Sequence, residues 1–123
     1  AKYPFETWIM PRRHSAHYMY EERIRIRAFA QILQDVLGRM ETCLQFPPYN
    51  FTLYSAPINQ DKEQDFHWHL AIMPRLTISA GFEMGTGIHI NVTAPEEAAR
   101  YLRNAVPHIP PAEALELSST SRP

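Results

Sequence analysis

Phe66-His67-Trp68-His69-Leu70-Ala71-Ile72-Met73-Pro74 decides the fold. Its period-two pattern reads as a β-strand that Pro74 closes. Alternate residues of a strand share a face, and a two-residue step covers roughly 6.6 Å. His67 and His69 therefore stand on one side, close enough to converge on one metal ion, one phosphate group or one reacting atom. The stretch offers a candidate site as well as a core element.

Upstream of it, Phe5–Met10 alternates as a strand, with Phe5, Thr7 and Ile9 on one side and Glu6, Trp8 and Met10 on the other, and Pro11 ends it. A strand that opens so close to residue 1, with no capping element before it, reads as a domain cut from a longer protein. After the polar loop Arg12–Tyr18, residues Ile26, Phe29, Ile32, Leu33, Val36, Leu37, Met40 and Cys43 recur at helical spacing. They predict one long helix from about Glu22 to Leu44. Pro47-Pro48-Tyr49-Asn50 breaks the chain, and a second strand is expected from Phe51 to about Ala56.

Downstream, residues 75–87 hold three of the four glycines, in a segment too irregular for a simple strand. Glycine there permits positive φ and close backbone approach to a ligand. Ile88–Val92 resumes alternation and predicts a further strand. Thr93-Ala94-Pro95-Glu96 reads as a capping box that starts a short helix to about Asn104. From Ala105 onward prolines and serines dominate, so the expected organisation is one domain over 1–104 and a flexible tail over 105–123. The fold class is α+β: an antiparallel sheet covered on one face by the long helix, with a short C-terminal helix.

With 123 residues and 45% apolar content the chain has the size of one domain. A net charge of −1 gives no bulk attraction to a nucleic acid, and Arg12, Arg13, Arg23, Arg25 and Arg27 read as solvated helix and loop positions. The single cysteine, Cys43, continues the apolar stripe as a packed small side chain. No long apolar run points to a membrane, and together with one cysteine this favours a cytoplasmic setting.

Three readings of His67 and His69 stay open on spacing alone. Two imidazoles could supply half of a tetrahedral metal site, with His89, Glu63, Asp65 or Glu83 completing it. One could attack or protonate a phosphate ester while the other assists. Or both rings could be partly buried and bonded to carbonyls. Glu83, among glycines, could accept hydrogen bonds from a sugar, with Phe82 or Trp68 as the apolar platform. Met84-Gly85-Thr86-Gly87 lacks the lysine and following helix of a phosphate loop. His14 and His17 are expected to be exposed in their loop.

Pro4-Phe5-Glu6-Thr7, Pro11-Arg12-Arg13-His14 ahead of the long helix, Ser55-Ala56-Pro57, Phe66-His67-Trp68-His69, Gly81-Phe82-Glu83-Met84 and Glu96-Glu97-Ala98-Ala99, in this order, resemble the C-terminal half of galactose-1-phosphate uridylyltransferases. The resemblance spans about residues 3–104 and extends to nucleotide-sugar phosphorylases of the same histidine-triad superfamily. It implies a histidine-triad-like sheet and a parent enzyme that uses UDP-sugar and hexose 1-phosphate. It also implies that the nucleophilic histidine lies in a His-Pro-His-Gly-Gln motif of an N-terminal half, since His67-Trp68-His69-Leu70-Ala71 lacks the glutamine. The isolated chain is then expected to be inactive. Substrate contacts are implied for Gly81, Phe82 (in place of a tyrosine), Glu83 and His89 (in place of a glutamine), while Thr77 stands where a lysine is found. A metal, zinc or iron, is implied on His67 and His69, joined in the family by an upstream histidine, whose place Tyr54 takes, and by a glutamate from the other half, which lies outside this chain. A homodimer is expected, and the rival readings are a phosphorylase parent or a non-catalytic nucleotide-binding and dimerisation module.

Overall fold

The computed structural model describes residues 1–58, 65–78 and 80–108. In chain order they form strand β1 (Thr7–Ile9), a 3-10 turn at Tyr18–Tyr20, helix α1 (Arg23–Leu44), strands β2 (Tyr49–Tyr54) and β3 (His69–Pro74), and helices α2 (Gly81–Thr86) and α3 (Pro95–Asn104). The strands make one antiparallel sheet in the order β1-β3-β2. The histidine strand is therefore the central one, as a run buried on both sides requires.

Register sorts the side chains into two faces. Leu70 lies between Ile9 and Leu53, and Ile72 between Thr7 and Phe51, on the face toward α1. Phe29, Leu33, Val36, Leu37 and Leu44 of α1, at spacings of three and four, pack with buried Met40 onto Ile9, Leu70 and Ile72. Ile72 and Met40 are shut from solvent, and each such side chain contributes about 1.5–3 kcal/mol. Trp8, Ala71, Thr52, His69 and Tyr54 fall on the opposite face.

Trp68, 3% exposed, is the pivot between the sheet and the loop before α1. Its ring meets Tyr18 and Phe29 edge to face at 5.1 and 5.5 Å. Its backbone N–H donates to the Ser15 carbonyl at 2.9 Å, and its indole N–H to Glu21 at 2.8 Å. Burial works against the charge of Glu21. Hydrogen bonds from Ser15 and Trp68 and the guanidinium of Arg25 nevertheless hold its carboxyl below the ordinary value.

Helix α3 is tied to α1 by Arg39. Asp35 accepts from its Nε at 2.8 Å, and its Nη1 donates to the carbonyls of Leu102, Arg103 and Ala105. Those are end-of-helix carbonyls that lack intrahelical partners, where positive charge is favoured. The chain then runs along α1: Thr42 donates to the Val106 carbonyl, and the His108 N–H donates to the Gly38 carbonyl at 2.9 Å. A Cβ on Gly38 would overlap the His108 carbonyl oxygen, which explains a glycine inside a helix. Residues 105–108 are thus packed, and the rest of the expected tail lies outside the described residues.

Five expectations are corrected. Ile88–Val92 forms no strand, because local oxygens take donors within it and just after it: Ile88 N–H goes to Thr86, Ile90 N–H to Glu83 and Thr93 N–H to Asn91. Gly81–Thr86, expected to be irregular, is a turn and a half of helix closed by left-handed Gly87 (φ 70°). The capping box at Thr93 does not form; Ala94 is the N-cap, with Pro95 in the first helical turn and Glu96 and Glu97 at the positive end. His17 is buried rather than exposed, edge-on to Tyr20 at 5.3 Å. Strand β1 is shorter than expected because a turn over Tyr3–Glu6, with Phe5 at φ 59°, precedes it.

Gly38→Ala should lower the unfolding free energy read from urea titration by about 1–2 kcal/mol despite alanine's better helix propensity, because the added methyl strikes backbone. In a chain shortened to residue 104 the same change should stabilise, since the obstacle is gone. A carboxyl depressed by folding contributes stability that is complete above its unfolded value and is lost as pH falls through its folded value. Urea titrations across the carboxylate range should therefore show wild type outdoing Glu21→Gln at neutral pH, with the gap closing on acidification.

Candidate functional site

The anchored indole of Trp68 turns its neighbours His67 and His69 toward other surroundings. Tyr54 is the cross-strand partner of His69, and Trp8 projects from the other neighbouring strand on the same face. The imidazole of His69 lies flat between them: 4.4 Å from Trp8 at 19°, and 4.8 Å from Tyr54 at 17°. Its Nδ1 is 3.0 Å from the carbonyl oxygen of His67. An oxygen acceptor there requires Nδ1 to carry the hydrogen, so Nε2 keeps the lone pair in the neutral ring.

His67 sits differently. Its ring tilts against exposed His14 at 5.5 Å, and its Nε2 is buried with no hydrogen-bond partner among the described residues. A polar atom left so costs about 1–3 kcal/mol, which makes it the nitrogen at this face with most to gain from a hydrogen-bonding group. The two imidazoles of the motif therefore have separate neighbours, because β3 begins only at His69 and period-two alternation does not extend back to His67.

Gly81, Phe82 and Glu83 come together in the first turns of α2. The Glu83 carboxylate accepts the N–H of Ala80 on one oxygen and that of Ile90 on the other, both at 3.0 Å. These two amides, with His89 nearby, hold its carboxyl below the ordinary value. Glu83 thus pins both ends of the segment that carries His89, whose ring meets Tyr3 edge-on at 5.0 Å. Phe82 is half exposed beside it. Among the described residues α2 packs against neither the sheet nor α1, so the glutamate cluster and the histidine strand are two separate patches.

Of the further metal ligands the sequence offers, Glu83 is committed to amides, His89 stands with it, Asp65 is exposed, and Glu63 lies outside the described residues. Among the described residues no three His, Cys, Asp or Glu form a metal-holding group. Two surface grooves, of about 600 Å³ between β1, α1 and α3 and about 340 Å³ between β1 and the start of α1, include neither His67 nor His69. None of the described helices is long and apolar enough to cross a membrane. Trp8 was missed as a site residue in the sequence. Alternation puts it opposite Ile9 in facing, but only the register brings it over His69.

No protein-family model matches the chain. Two relatives do: ADP-glucose phosphorylase of Arabidopsis thaliana, 36% identical over 105 residues, and galactose-1-phosphate uridylyltransferase of Thermotoga maritima, 33% identical over 111. Each alignment takes in 84% of this chain but only 30% and 35% of the respective relative. The crystal structure of the Arabidopsis ADP-glucose phosphorylase with bound ADP-glucose superposes with a TM-score of 0.81 at 34% identity, over 86% of this chain and 35% of that one. A Hit-like protein of Bartonella henselae, 18% identical with a TM-score of 0.55 over 84% of this chain and 72% of its own, shares the fold. Aligned along most of its length yet spanning about a third of these relatives, the chain belongs to the galactose-1-phosphate uridylyltransferase-like proteins.

Proposed function

We propose that this domain is the substrate-gripping C-terminal half of a nucleotidyltransferase that exchanges hexose 1-phosphates on a UDP-sugar. The observation that carries this reading is the alignment along 84% of the chain with a galactose-1-phosphate uridylyltransferase and with an ADP-glucose phosphorylase. In it, Glu83 receives hydroxyls of the hexose. Its two amide contacts leave about half of a carboxylate's roughly four acceptor sites open, and they fix its direction. Half-exposed Phe82 offers an apolar face to the C–H side of the ring, Gly81 lets the substrate approach the backbone, and His89 faces the phosphate or a further hydroxyl.

The nucleophile lies elsewhere in this reading. A ping-pong transfer needs a histidine that attacks phosphorus and is regenerated, and here it belongs to an N-terminal half of the parent protein. Edge strand β2 supports a missing neighbour: Phe51, Leu53 and Tyr54 are exposed at 61%, 41% and 44%, and one side of the strand has no ladder partner among the described residues. The N-terminal half would cover that edge, and the assembled protein would be a cytoplasmic homodimer. A phosphorylase parent is the second reading, favoured by the slightly higher identity to ADP-glucose phosphorylase. Inorganic phosphate would then replace the hexose 1-phosphate as acceptor.

Titrating the chain with galactose 1-phosphate should shift the amide signals of Gly81, Phe82, Glu83 and His89, and Phe82→Ala and Glu83→Gln should each weaken the effect several-fold. Given UDP-glucose as well, the chain alone should form no UDP-galactose. Shifts confined to other segments, or turnover by the chain alone, would overturn the proposal. UDP-glucose with galactose 1-phosphate, set against ADP-glucose with phosphate, separates the two readings when the N-terminal half is supplied.

A further inference from the structure

The metal implied on His67 and His69 does not fit the described residues of this chain. Tetrahedral zinc takes four donors, each nitrogen at about 2.0–2.1 Å. Among the described residues no third His, Cys, Asp or Glu joins the pair. Tyr54 holds the position directly across from His69, but its ring is stacked on the imidazole at 17°. A metal on Nε2 lies in the imidazole plane, whereas stacked rings keep their planes about 3.5 Å apart or more. The phenol oxygen therefore stays beyond a metal–oxygen bond of about 2.0–2.2 Å. Trp8 occupies the other face of the same ring, and Nδ1 is engaged with the His67 carbonyl. The Nε2 of His67 is enclosed, so a cation there would give up its water with no further donor among the described residues to replace it.

We propose that Tyr54 closes this sheet face to metal, and that Trp8, His69 and Tyr54 form a metal-free clamp that presents a single oriented imidazole. Trp8 and Tyr54 are positioning residues: they hold the ring flat between them so that Nδ1 stays on the carbonyl and Nε2 is the nitrogen left to act. A neutral imidazole so fixed accepts a hydrogen bond from a hydroxyl or a protonated phosphate oxygen. This holds whether the parent is a transferase or a phosphorylase, since it rests on the geometry of the sheet face alone.

The test is a Co²⁺ titration of the full chain, followed by its visible absorption, in wild type, His69→Ala and Tyr54→His. Wild type should show no saturable band. Tyr54→His replaces the stacked phenol with a second imidazole directly across from His69, so it should gain one, with Co²⁺ held at least about tenfold tighter than by wild type, because even changes to groups that only support a ligand shift metal affinity by that much. A wild-type band that His69→Ala removes would overturn the proposal, as would a folded Tyr54→His that gains nothing. Should Tyr54→His not fold, ¹⁵N NMR of the wild type decides. The proposal expects the Nδ1–H tautomer at His69, ring protons shifted upfield by Trp8 and Tyr54, and no change with Zn²⁺. An Nε2–H tautomer or a Zn²⁺-dependent shift contradicts it.

Discussion

Strand β3 is hydrogen-bonded on both sides, and the rest of the structure follows from that double pairing. With a neighbour at each edge it cannot slip by one residue without carrying Leu70 and Ile72 out of the core and His69 into it. The apolar stripe of α1 then has one face on which to lie. The same register that fixes the core places Trp8 and Tyr54 on either side of His69. Core and candidate site are two consequences of one set of ladder bonds.

Two polar devices connect this sheet to its surroundings. Glu21 receives the indole of Trp68 and so locks the loop before α1 onto the start of β3. Arg39 gathers the loose carbonyls at the end of α3 and docks that helix on α1. Glu83 does for the 80–90 segment what these do for the core, with one carboxylate spanning both ends of a short helix and its exit. The carboxylate proposed to meet a sugar is thus already oriented by backbone amides, so little ordering remains to be done on binding.

Local pattern was enough wherever an element's partner lay within a few residues. The stripe from Ile26 to Cys43 gave α1 to within a residue of its start, and alternation gave the histidine strand from His69 to Pro74, while Trp68, offered in the sequence as a sugar platform, is buried in the core. Pattern failed where distant or side-chain partners decided. Ile88–Val92 alternates as well as any strand here, but Thr86 and Glu83 take the donors of Ile88 and Ile90 before a ladder can. The strand begins at His69 rather than Phe66 because the amide of Trp68 goes to Ser15, fifty-odd residues away in the chain, and not to a neighbouring strand. The stack around His69 needs the registers of two separate strand pairs, which no single stretch of sequence contains. The convergence of Glu83 with the histidine pair, open in the sequence, does not occur within the described residues.

The central claim is that this domain holds a hexose phosphate while the atom that attacks phosphorus belongs to another part of the parent protein. Intact-mass and peptide-level mass spectrometry after incubation with UDP-glucose, under conditions that preserve phosphoramidates, tests it most directly. The account predicts an unmodified chain. A uridylyl adduct on His69 or His67 would contradict it.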